Sequence, residues 1–82
     1  MSPTVFRARG FRFFFFSKEE ERVHIHVEHP DGVAKFWMSP RIQLASSQGL
    51  RAKQIHEALS LIEEHEIEIH QAWQRHIRRG SD

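Results

Sequence analysis

From Val23 to Glu28 apolar and polar residues alternate without a break. Val23, Ile25 and Val27 fall on one side, and His24, His26 and Glu28 on the other. Alternation with period two marks a strand with one buried face. The same reading gives short strands at 3–8 (PTVFRA), closed by Gly10, and at 11–16 (FRFFFF), ended by Ser17. The polar run from Lys18 to Arg22 reads as a solvated turn. Pro30-Asp31-Gly32 is a strong turn signal, because proline presets φ, aspartate bonds locally and glycine accepts positive φ. A fourth strand follows at 33–38, and 42–45 adds a short edge strand after Pro40. A two-residue loop at Pro30-Asp31 pairs Val27 with Ala34 and Ile25 with Phe36. It sets His24 and His26 beside Trp37 and Lys35. That register sorts apolar with apolar, so it is preferred over a three-residue loop with a glycine bulge.

Beyond the loop at Ser46 to Gly49 the period changes. Ile55, Leu59, Ile62, Ile69, Ala72, Trp73 and Ile77 recur at threes and fours, which predicts a helix from about Ala52 to Arg79. His65 and Glu66 interrupt the stripe. Unbroken, the helix would be about 42 Å long, whereas a six-residue strand covers only about 20 Å. The helix therefore kinks near His65, or its Trp73 end meets a second chain.

The predicted fold is α+β, a small antiparallel sheet of four or five strands followed by one long C-terminal helix on one face. It is a single domain, with the sheet in 1–49, the helical part in 50–79 and a tail in 80–82. Phe14 and Phe16 share a strand face with Arg12, while Phe11, Phe13 and Phe15 share the other. One helix cannot cover both sets. Phe11, Phe13 and Phe15, with Trp37, Trp73 and Ile77, are the candidate partner surface, filled by a homo-oligomer or another protein.

Composition sharpens this only in part. The 82 residues carry a net charge of +1 and no cysteine. A domain of this size buries only roughly 60% of its unfolded surface, and no disulfide can support it. No apolar run suits a signal peptide or a membrane span, so a soluble cytoplasmic protein is expected. Charge is segregated: five glutamates lie between 57 and 68, and Arg75, Arg78 and Arg79 follow.

Seven histidines are present, and the pair at 24 and 26 is the sharpest chemical feature. Residues i and i+2 of a strand share a face, with bases roughly 7 Å apart. Three readings stand side by side. The pair is ordinary sheet surface. Or it works as general acid and base with Lys35, while Arg12 and Lys35 bind a phosphate; two imidazoles and a cation suffice to cleave RNA through its 2′-hydroxyl. Or the pair binds a divalent metal such as zinc, with Glu28, His29 or a helix histidine as third ligand. His29 itself reads as a hydrogen bonder of the turn. RGFRFFFF (9–16) matches the RNA-recognition signature at Arg9, Gly10, Phe11, Phe13 and Phe16 and departs from it at Arg12 and Phe14. In that fold the signature strand is the third of four and follows a helix. Here it is the second strand with no helix before it, which argues against that fold.

The stretches SPTVF, GFRFFFFS and HIHVEHPDGVAKFW together resemble a bacterial family, domain of unknown function 4160. The resemblance runs from Pro3 through Gly49 and more loosely along the helix. It rests on Pro3, Thr4, Phe13, Ser17, His24, His26, Gly32, Ala34, Lys35, Trp37, Leu44 and Gly49. Val23 stands where the family usually has proline. The resemblance implies a cytoplasmic bacterial protein of a toxin–antitoxin-like pair. Its implied partner is a small protein resembling domain of unknown function 2442. It supplies no catalytic residues.

Overall fold

The structure, a computed structural model, describes residues 4–16 and 22–80, with side chains up to residue 77. The five strands β1 (Thr4–Ala8), β2 (Phe11–Phe14), β3 (His24–His29), β4 (Gly32–Trp37) and β5 (Gln43–Gln48) follow one another as antiparallel neighbours. Residues 18–21 of the expected turn and 81–82 of the tail lie outside the described residues.

The β1–β2 connection is the two-residue loop Arg9-Gly10, with φ of 53° and 85°. Positive φ at both positions makes a type I′ turn, whose twist suits a hairpin. The β3–β4 loop is the Pro30-Asp31 pair, with Val27 opposite Ala34, Ile25 opposite Phe36 and His26 opposite Lys35. At this turn the Asp31 N–H donates to His29 Nδ1 at 3.1 Å. Gln54 Nε2 donates to Asp31 Oδ2 at 2.8 Å, while Gln54 Oε1 accepts from the Arg51 N–H at 2.8 Å. The hairpin tip is thereby latched to the start of the helical part. A side chain at Gly32 would strike the Gln48 carbonyl oxygen and Gly49, so that close approach requires glycine.

The helical part is two helices rather than one. Helix α1 (Ala52–Glu64) and helix α2 (Glu66–Gly80) meet at His65. The longest dimension of the molecule is 37 Å, shorter than the unbroken helix would be, so a bend is what lets both halves cover the sheet. His65 makes the bend. Its N–H is shared between the Leu61 and Ile62 carbonyls, and its Nδ1 donates to the Leu61 carbonyl at 2.8 Å. Its ring stacks on Phe6 at 3.9 Å, and Phe6 stacks on Phe13 at 4.2 Å. Of the two residues that interrupt the apolar stripe, Glu66 is exposed and His65 is half-buried.

The core lies between the helices and one sheet face. Phe11, Phe13, Phe15, Ile25, Val27 and Phe36 meet Ala58, Leu61, Ile62, Ile69 and Trp73 there. The expectation that Phe11, Phe13, Phe15 and Trp73 face a partner is thus corrected. They are 2, 0, 1 and 4% exposed within their own chain, because the bent helices reach far enough to cover that set. Among the described residues no helix is long and apolar enough to cross a membrane.

Candidate functional site

Strand pairing decides which phenylalanines accompany the histidines. Phe13 lies opposite Val27, on the core side, and Phe14 lies opposite His26. Phe14 and Phe16 therefore share the helix-free face with His26, Lys35 and Trp37. The face is built in layers of ring and cation. The Arg12 guanidinium sits 4.4 Å from the Phe14 ring centre, Arg22 sits 4.2 Å from Trp37, and Lys35 Nζ sits 4.5 Å from the same ring. Arg12 also donates to Thr4 Oγ1 at 2.7 Å and pairs with Glu28 at 3.3 Å. Arg22 Nε donates to the Ser39 carbonyl at 3.0 Å. Cations laid on rings in this way are held in place, and the rings are shielded without being covered by a second layer.

The two histidines part company despite their common parity. His24 is 0% exposed. The β2–β3 pairing stops at Phe14–His26, so among the described residues no second strand lies beside His24. Trp73 of α2 reaches it instead, at 5.1 Å between ring centres, and Trp37 lies 5.9 Å away on another side. His24 Nδ1 donates to the Arg22 carbonyl at 2.7 Å. His26 is half-buried, 4.5 Å from the Phe16 ring and 5.5 Å from Phe14. The imidazole centres are 5.1 Å apart, at 84°. The pair is close, but only His26 borders the surface. It lines a shallow depression of about 300 Å³ with Phe16, Val33, Lys35 and Ser46.

The remaining sequence candidates are spread over the molecule. Glu28 follows His26 on the same face and is engaged by Arg12. His29 packs against Phe11, 4.7 Å between ring centres, on the core side. Among the described residues no three histidine, cysteine or carboxylate side chains cluster as a metal site would require. Arg75 borders a separate depression of about 210 Å³ between β1 and α2, with Glu68 and His76. The side chains of Arg78 and Arg79 lie outside the described residues. Ile77 is exposed on α2. Sequence reasoning passed over Arg22. Its place two residues before His24, at the mouth of the strand, was the available signal.

These features define a small α+β domain: a five-stranded meander with a bent helix on one face and an aromatic, cationic surface on the other. The model of the family described as Domain of unknown function (DUF4160) matches residues 10–74, and the chain belongs to that family. No curated protein and no solved structure matches it.

Proposed function

We propose that this chain is a non-catalytic interaction module that binds an acidic protein partner on the helix-free face of its sheet. In this reading it is one member of a toxin–antitoxin-like pair in the bacterial cytoplasm. The carrying observation is the ring-and-cation layering of Arg12, Arg22 and Lys35 over Phe14 and Trp37. Glu28 is the one acid among the described strand residues of that face, so the described face complements carboxylates. Phe16 and Val33, 42 and 48% exposed, add apolar area around the depression that His26 and Lys35 line. Tryptophan and arginine in a preordered arrangement are the usual anchors of protein interfaces. Burial of His24 speaks against a catalytic pair, because a general acid must touch its substrate.

Calorimetric titration with the small cognate protein resembling domain of unknown function 2442 tests this. Binding is expected. Phe16→Glu and Arg22→Glu should each weaken it at least about tenfold, whereas Ile67→Glu, on the solvent side of α2, should not. Unchanged affinity in both face variants overturns the proposal. The placement of His26 opposite Lys35 beside exposed Phe16 favours a second reading, RNA as the ligand or substrate. RNA cleavage by the purified chain, lost in His26→Ala, would put that reading first. Stoichiometric zinc found by elemental analysis would put a metal role there instead.

A further inference from the structure

The sheet has two edges, and they are treated differently. Edge strand β1 is packed under the helix bend, with Val5, Phe6 and Ala8 against the core and Phe6 stacked on His65. Among the described residues, edge strand β5 has a neighbour on one side only, and all six of its residues are exposed. Its sequence, QLASSQ, contains no charge and no proline. Charge and proline are two of the usual guards of an open edge, and a bulge, which β5 does carry, is another. We propose that β5 is a self-association edge: two copies of this chain pair β5 with β5 antiparallel about a two-fold axis, joining their sheets into one.

Three observations choose a second copy as the occupant. In a two-fold pairing each strand meets itself, so any charge near the centre would face a like charge. Between Gln43 and Gln48 there is none. The second is parity. Between Lys35–Ser46 and Phe36–Leu44 the register shifts, which leaves Ala45 as an extra residue. Leu44 and Ser47 consequently lie on the core side, opposite Phe36 and Ala34, while Gln43, Ser46 and Gln48 lie on the helix-free side. Antiparallel self-pairing centred between Ala45 and Ser46 sets Gln43 against Gln48 of the other copy and Leu44 against its Ser47. Each pair then shares a face, which opposed residues of a ladder must. Shifting the centre by half a residue either way opposes Leu44 to a residue of the wrong face. The bulge thus moves the centre of self-pairing from a residue, where a regular strand would have it, to the point between Ala45 and Ser46. Third, Leu44 is 41% exposed, and the pairing lays the other copy's backbone and Ser47 against it, taking part of that surface out of water. Partner binding on the sheet face is a separate matter, and joined sheets would present two such faces side by side.

Sedimentation equilibrium of the purified chain tests the proposal. The expected mass is twice 9.8 kDa at high micromolar concentration, falling to the monomer on dilution. A six-residue strand pairing is small beside the roughly 1,600 Å² of a standard interface, so reversible dissociation follows. The double substitution Gln43→Lys with Gln48→Lys should give a monomer with an unchanged circular-dichroism spectrum. Gln43→Lys with Gln48→Glu should restore the dimer, because the register places the two new opposite charges together across the axis. A monomeric mass for the parent chain at all concentrations overturns the proposal. So does a Lys/Lys variant that remains dimeric. A Lys/Glu variant no more dimeric than Lys/Lys overturns the stated register. The cognate-protein titration is read on its own, so failure of one proposal is visible without the other.

Discussion

Strand β2 supplies phenylalanines to both faces of the sheet, and the two sets meet different fates. Phe11 and Phe13, continued by Phe15, are sealed under helices α1 and α2. Phe14 and Phe16, one position out of step, stand on the helix-free side, where Arg12 lies over Phe14 and Phe16 stays open. The side chains are chemically identical. What differs is the layer that meets them: helix side chains on one face, guanidinium and imidazole groups on the other. Apolar residues covered by a helix are a stability device, whereas the same residues under cations held on their rings are a surface ready for contact.

The largest separation of the two faces should come from deleting a ring on each. Phe13→Ala removes a fully buried ring that stacks on Phe6, and about 3–5 kcal/mol of stability should go with it. A domain of this length holds on the order of 4–12 kcal/mol in all, so denaturant melts should show a large loss or outright unfolding. His24→Ala comes next. It belongs by parity to the open face but by burial to the core, and it should cost about 2–3 kcal/mol through the cavity and the orphaned Arg22 carbonyl. If His24→Ala instead leaves the urea midpoint unchanged while abolishing an activity, His24 is functional rather than structural, and the division between the faces fails at that residue.

Much of this layout was legible in the sequence, and the failures have physical causes. The β3–β4 register followed from the two-residue loop and apolar sorting, and it places His26 opposite Lys35 as expected. The one long helix that was expected is two: length left a kink near His65 or a second chain at the Trp73 end as alternatives, and the kink is what the structure has. Which phenylalanine set the helix covers did not follow, because the 17–21 connection hides the β2–β3 register. Pairing Phe13 with Val27 and Ile25 by polarity would have supplied it. Burial of His24 was out of reach, since it depends on Trp73, 49 positions away, entering beyond the end of β2. Strand β5 was seen as 42–45 only: with every residue exposed it has no apolar alternation to read. The family resemblance from the three motif stretches agrees with the family match over 10–74, but carries no activity with it.

On the open face the effect on stability should be small and the effect on binding large. Phe16→Ser gives up edge contacts to Phe14 and His26 and should cost about 1 kcal/mol or less, measured by thermal melting. The same variant should lose affinity for the acidic partner. A cost comparable to that of Phe13→Ala would show that the helix-free face is core after all.

The smallest expected effect tests what keeps the two sets apart. Antiparallel pairing of Ala8 with Phe11 across Arg9-Gly10 fixes the register of β2, and a slip of one residue would exchange the faces. Arg9 holds φ of 53° there, a left-handed conformation that an arginine adopts at a cost. Its ion pair with Glu57, 3.4 Å long and mostly exposed, returns little. Arg9→Asn puts the residue favoured in type I′ turns at that position and should raise stability by about 0.5 kcal/mol. Gly10→Ala, at φ of 85°, should move it the other way. Both shifts appear in the same urea melt, and their opposite signs are the check. A stabilising Gly10→Ala would mean that the hairpin is not held by its turn. The separation of the phenylalanine sets would then rest on helix packing alone.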